Sequence, residues 1–482
     1  MDHTSGDKCS DRQKEYNMNK TSKVKGVFEV LVVIGLILVI PLFFAIKTAA
    51  NEQAVQKTPT PPKPTAVATL VNNVTSAKQP PQCAFPLAQI TTAESTPEEY
   101  TFSEPQVVLT DLKNVYAIVE WLPDNQQVLI AQDYIDNNHK FLYQSIELFT
   151  PQTGETRVYA TRSTSSRTQP SWIAGLNAVI YPDTNILKFN KTDITHSRYE
   201  FTRQLRVSRG DPKKTQIIES AQLTADSLSY FSVVVKPGGS QVVYITHGDK
   251  QLSKRNATLE KQQPVAFDAT QWEYRRAFSR FVSYDMVWRP NTPQIFLYSI
   301  GDSGGYSFLL NVETGQICEI NLGSRGNEIS WAGVARWSPN GRYLAIIRSW
   351  GTLPINFSDL AILDTMTGNL YTIEITPQDI TGRHFINDLA WAPDNHHLIV
   401  IGSVLPPPGN DLVGEESNYS DLYLVDFISG QNVHLLSAYK FSTGWWGTNL
   451  AWSQDGSKLI VRCPTKEDDR LCLISVQGTQ QP

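Results

Sequence analysis

A chain of 482 residues with 18% charged and 41% hydrophobic residues and a formal net charge of -5 has the composition of a globular protein. It carries no surplus of basic residues, which argues against a nucleic-acid partner, because phosphate binding draws on clustered Lys and Arg. Length alone allows up to about three average domains or one large all-β domain.

The first element along the chain is "VFEVLVVIGLILVIPLFFAI", Val27 to Ile46, a run of twenty residues whose one charge is Glu29. It matches the roughly 20 residues that cross about 30 Å of hydrocarbon as a helix. Lys8, Arg12, Lys14, Lys20, Lys23 and Lys25 precede it, and Lys47, Lys57 and Lys63 follow it. The positive-inside bias therefore puts the N-terminus in the cytoplasm and everything after Ile46 outside. A cleaved signal peptide is the competing reading, suggested by Ala45, Ala49 and Ala50. Its apolar core would exceed the usual 7 to 15 or so residues, and Lys47 interrupts the exit. The expected organisation is a cytoplasmic tail (1–26), a single transmembrane helix (27–46), a Pro/Thr-rich linker (47–100) that acts as a semi-stiff spacer, and a folded region (101–482).

Within that region the chain repeats itself. The returns are "WLPDNQQVLIA" at Trp121, "WIAGLNAVIY" at Trp172, "VKPGGSQVVYI" at Val235, "WRPNTPQIFLY" at Trp288, "WSPNGRYLAII" at Trp337, "WAPDNHHLIVI" at Trp391 and "WSQDGSKLIV" at Trp452. The spacings are 51, 63, 53, 49, 54 and 61 residues. Each unit reads as a strand ending in Trp, a tight turn, an apolar strand, a variable loop, a third strand, a Gly turn and a fourth strand. "ELFTPQTGE", "LLNVETGQ", "AILDTMTGN" and "YLVDFISGQ" carry the third strand and its turn. Such repetition predicts an all-β, seven-bladed β-propeller behind the transmembrane helix. Unit 2 lacks the Pro-Asp-Gly turn and unit 3 has Val235 in place of Trp, so the count alone leaves six or eight blades open. The last unit stops one strand short, and "QVVLT", Gln106 to Thr110, is the strand left over to complete it and close the ring.

The "WSPNGRYLAII" and "WAPDNHHLIVI" pattern resembles the TolB-like and WD40-like PD40 propeller family over roughly Tyr100 to Gly478. The resemblance implies a propeller fold and, because that fold serves many roles, no particular reaction. The membrane-anchored layout also resembles the front half of dipeptidyl-peptidase-like enzymes. No α/β-hydrolase domain is read after the propeller, so that class is not expected.

Other short motifs fall into place within the repeat. "GDSGG" around Ser303 resembles the nucleophile segment of chymotrypsin-like proteases, yet it joins the second and third strands of unit 4 and has no companion histidine motif. It is expected to be a hairpin loop. "RGD" at Arg209 to Asp211 falls at a third-to-fourth-strand turn. His396 and His397 follow a turn and point to opposite sheet faces, so solvated turn residues are expected rather than a metal pair.

One face of the predicted propeller carries tight turns and the other carries long connections such as "GSVLPPPGNDLVGEESNYSD" and "SAYKFSTGWWGTN". Long loops on a rigid scaffold usually hold the functional residues. Trp272, Trp331, Trp350, Trp445 and Trp446 all map to the long-loop face and are the candidate ligand contacts, the alternative being that the loops fold inward and these rings pack a lid over the blades. In the channel, three residues before each anchor, stand Ile118, Gln169, Ser232, Asp285, Val334, Asp388 and Asn449. Asp285 and Asp388 are hard oxygen ligands suited to Ca²⁺ or Mg²⁺. Cys463 and Cys472 end and begin adjacent strands and are expected to form a disulfide. The function expected is a non-catalytic binding or scaffold module for a protein, peptide or glycan, with no cofactor. The alternative is a hydrolase or lactonase-like enzyme whose cation sits at the channel mouth, held by Asp285 and Asp388.

Overall fold

Runs such as "QIFLYSI" and "HLIVI" are apolar on both faces of a strand, so neither face can be left in water and each sheet must be covered on two sides. A ring of radially arranged sheets does this for every one of them. The computed structural model describes residues 98–480 apart from short stretches, chiefly 136–140, 164–168, 192–196, 226–231, 247–250, 266–282, 301–306, 351–356, 376–382, 406–418, 441–448 and 464–468. The tail, the Val27 to Ile46 run and nearly all of the linker lie outside the described residues. Among the described residues no helix is long and apolar enough to cross a membrane.

Six four-stranded antiparallel sheets form blades 1 to 6, over residues 115–162, 171–225, 233–264, 283–319, 331–373 and 383–440. In each, the strands follow chain order across the sheet. Blade 7 is built from Leu450–Trp452, Lys458–Arg462 and Asp469–Gln480, and its outer edge comes from the start of the folded region. Gln106–Asp111 pairs antiparallel with Asp469 to Leu473, and Glu98–Phe102 pairs with Val476 to Gln480. The leftover strand read from the sequence thus closes the ring. A small two-stranded ladder, Ser324–Arg325 with Glu328–Ile329, lies between blades 4 and 5.

The core confirms the blade count independently. It consists of seven hydrophobic clusters, and each joins two neighbouring blades. Alternation along a strand sends successive side chains to opposite seams. In blade 4, Ile295 and Leu297 pack with Val234 and Val243 of blade 3, whereas Phe296 and Tyr298 pack with Ala335 and Leu344 of blade 5. The last seam joins Ile118, Trp121 and Ile130 of blade 1 to Ile460 and Leu471 of blade 7.

All six anchor tryptophans pack against the preceding blade. Three of their indole N–H groups also donate to the carbonyl just before that blade's own anchor: Trp121 to Ala451 (3.0 Å), Trp337 to Val287 (3.3 Å) and Trp391 to Arg336 (2.9 Å). A buried indole N–H needs an acceptor, and this repeated pairing supplies one at three seams. Trp288 and Trp452 donate instead to their own turns, at Thr292 and Gly456.

The first-to-second-strand turns share one geometry in six units. The residue after the anchor bonds with the residue five positions later, as in Leu122 N to Gln127 O and Ser338 N to Tyr343 O, both 2.8 Å. The fourth residue past the anchor is left-handed at Asn125, Gly239, Gly341, Asn395 and Gly456, which is why Asn and Gly recur there. In unit 2 a 3-10 turn, Ala174–Leu176, ending on left-handed Asn177 does the same work. Neighbouring turns are laced together. Asn395 Oδ1 accepts from Asn340 N (2.7 Å), Asn125 Oδ1 accepts from Gln454 N (2.9 Å), and the fully buried Arg289 donates to Gly341 O (2.7 Å).

Candidate functional site

The first strand of each blade ends its sheet, so every second backbone N–H on it has no ladder partner and must be satisfied otherwise. Acidic side chains of the inner strands do this. Asp285 accepts from Met286 N at 3.0 Å and from the Tyr298 hydroxyl at 3.0 Å. Asp388 accepts from Leu389 N (2.8 Å) through one oxygen and from Asn449 N (2.7 Å) and Leu450 N (3.1 Å) of blade 7 through the other. Glu120 Oε1 accepts from Trp172 N of blade 2 at 2.8 Å.

Arg336 comes from blade 5, between the blades of the two aspartates. Its guanidinium is 4.0 Å from Asp388 Oδ1 and acts electrostatically on Asp285 as well. Burial nevertheless pushes both carboxyls above their ordinary range, against the pull of Arg336 and the amides. Burial also pushes Glu120 up to about 7, with the Trp172 amide opposing it. Glu120 keeps intermediate exposure.

The residues placed three before each anchor were expected to line the channel. They do stand on or just before the innermost strands, but most point round the ring rather than inward, because a blade's faces look at its neighbours. Ile118 and Val334 belong to inter-blade clusters, and Ser232, Asp388 and Asn449 are buried. Asp285 and Gln169 keep partial exposure. The better channel position is the one just before each anchor: Glu120, Ser171, Val287, Arg336, Ala390 and Ala451 stay partly exposed, with Val234 nearly buried. Its neighbours Val233, Met286, Ala335, Leu389 and Leu450 are buried. Glu120 and Arg336 were thus passed over, although the repeat register that identifies them is visible in the sequence.

Among the described residues no group of three or more His, Cys, Asp or Glu is arranged to hold a metal ion. Asp285 and Asp388 come from blades 4 and 6, separated by blade 5, and Arg336 occupies the place between them.

Trp272, Trp445 and Trp446 lie outside the described residues. Trp331 opens the first strand of blade 5 and Trp350 closes its second, so both stand at strand ends on the long-loop side rather than in loops. On the same side of blade 1, Tyr134 and Tyr143 stack at 4.5 Å, and Tyr143 is 39% exposed. Cys463 and Cys472 are joined, with Cα atoms 5.9 Å apart. Cys472 faces Val461 in the ladder, so the bond runs diagonally across the strands.

Ser303 lies outside the described residues, but the strands flanking it, Gln294–Ile300 and Ser307–Asn311, are antiparallel partners. "GDSGG" also spells Gly-x-Ser-x-Gly; a nucleophile elbow would require a helix after it, and a strand follows. Arg209 to Asp211 forms the expected turn, with Gly210 left-handed. His397 departs from expectation: it is buried, and its Nδ1 lies 2.6 Å from Asp394 Oδ2. Tyr100 of the closing strand packs on it edge-on at 5.4 Å and on Trp452 at 5.2 Å. A turn histidine is covered here because the closing strand folds over the short-turn face, which a single repeat unit does not reveal.

No family model and no curated protein matches the chain. Solved structures with a similar fold include an oligogalacturonate lyase in complex with manganese (10% identity, 80% of this chain and 99% of that one, TM-score 0.47). Others are TolB from Acinetobacter baumannii (11%, 70% and 78%, TM-score 0.32) and the Cps50 (Swd1) propeller domain from Myceliophteria thermophila (11%, 79% and 100%, TM-score 0.41). The likeness is one of fold.

Proposed function

We propose that the chain is a single-pass membrane protein, with its N-terminus in the cytoplasm and its propeller outside, that acts as a binding or scaffold module for a protein, peptide or glycan. The observation that carries this reading is the difference between the two faces. On the short-turn side, successive turns are hydrogen-bonded to one another and the closing strand covers blades 6 and 7. The second-to-third-strand and inter-blade connections all leave from the other side, flanked by Trp331, Trp350 and the Tyr134–Tyr143 stack. A rigid ring with variable loops on one face is a binding platform. The Cys463–Cys472 bond fits an oxidising compartment. Under the cation-dependent hydrolase reading, Asp285 and Asp388 would hold the cation with oxygens that already accept backbone amides.

The test is binding of the full chain, in detergent, to glycan and peptide arrays, alongside the Trp445→Ala, Trp446→Ala variant. Loss of about 2 kcal/mol or more in binding with an unchanged melting temperature is expected. Equal loss of folding and binding, or no specific binding by the parent, would contradict the reading.

A further inference from the structure

The three inner-strand carboxylates differ in how their charge is balanced. Asp388 pairs with Arg336, whose charge also acts on Asp285. Among the described residues, no ion pair joins Glu120 to a cation, and one amide bond holds one of its two oxygens. Lys458, the nearest basic residue of the blade 7 turn, is directed to Asn125 O (2.8 Å) and the face of Trp121. The residues flanking Glu120 in the same ring position are Ala451 of blade 7 and Ser171 of blade 2, both small and neither of them basic. An acid fixed by one oxygen at a seam, with small neighbours on both sides and no ion-paired cation among the described residues, has the features of a counter-ion.

We infer that Glu120 receives a basic group, a primary ammonium or guanidinium, from a peptide or amine that enters the channel. This rests on the reading of the protein as a binding module and narrows the ligand chemistry. When a cation binds, the carboxyl loses its proton and the cation keeps its own, so one proton passes to solvent for each Glu120 that was protonated. Its position near neutrality makes that release measurable. Trp172 N–H stays bonded throughout, which orients the carboxylate.

Calorimetry on the full chain in detergent, with butylammonium and butylguanidinium ions as probes and butanol as the neutral control, tests this. Run at pH 7 in two buffers of different ionisation enthalpy, it should show binding of the cations alone, with release of about half a proton per site. Affinity should rise as the pH is raised from 5 to 8. Glu120→Gln retains an acceptor for Trp172 N–H and should lose at least tenfold in affinity together with the proton release. Equal affinity in Glu120→Gln, binding without proton release, or no binding by the parent up to tens of millimolar would overturn the inference. The last result would leave the long-loop reading untouched, because that is judged by the Trp445 and Trp446 substitutions. Should the variant not fold, the pH dependence and proton count of the parent decide alone.

Discussion

Trp391 of blade 6 donates its indole N–H to the carbonyl of Arg336 at 2.9 Å, and Arg336 directly precedes Trp337, the corresponding tryptophan of blade 5. Through that bond Trp391 ties its own blade to the preceding one. Trp391→Phe keeps most of the packing and removes the bond, so it should cost about 1 kcal/mol in urea denaturation. Trp391→Ala also empties the seam and should cost about 3 to 5 kcal/mol. A Phe variant as stable as the parent would show that the indole bond contributes nothing.

Glu120 links stability to pH. Its folded pKa is raised from 4.5 to about 7, so its contribution is fully present below about 4.5 and is lost as pH rises through about 7. Glu120→Gln removes that loss. The variant should match the parent near pH 5 and exceed it by about 1 to 3 kcal/mol at pH 8.5, measured by denaturation at both values. A gain at pH 5 alone would reverse the sign and contradict the assignment.

Cys318 is itself disulfide-bonded. Cys463 and Cys472 take each other, so of the five cysteines only Cys9 and Cys83 remain as partners. Under the proposed topology, which puts Cys9 in the cytoplasm, Cys83 is the expected partner. Non-reducing peptide mapping should recover Cys83 and Cys318 in one linked pair. Linkage through Cys9 would contradict the proposed topology.

Under the proposed topology, in which the basic residues before Val27 hold the N-terminus inside, protease added to intact cells should digest or release the propeller. A protected propeller with an accessible tail would reverse that orientation.

Much of the fold was legible because each repeat carries redundant signals. A Trp anchor, an Asn or Gly at the left-handed turn position and an apolar second strand recur together, and "QVVLT" is left over where a strand is missing. The channel was harder to read. Counting back from the anchors gives height along a strand but not the direction of a side chain, and inner-strand side chains point round the ring. Bulges at Ile118/Glu120, Ala332/Val334 and Ile386/Asp388 shift the count further. His397 was misjudged because its cover, Tyr100, comes from a strand almost 300 residues earlier in sequence.

The central claim is that Asp285 and Asp388 satisfy inner-edge amides and that Asp388 pairs with Arg336 in the proposed binding propeller, rather than the two holding a catalytic cation. Elemental analysis of the purified chain, equilibrated with millimolar Ca²⁺ or Mg²⁺ and then dialysed, tests it most directly beside an Asp285→Ala, Asp388→Ala variant. The account predicts no stoichiometric metal in either protein and lower stability of the variant, by about 2 kcal/mol or more, from its orphaned amides. One equivalent of metal in the parent that is absent from the variant would contradict it.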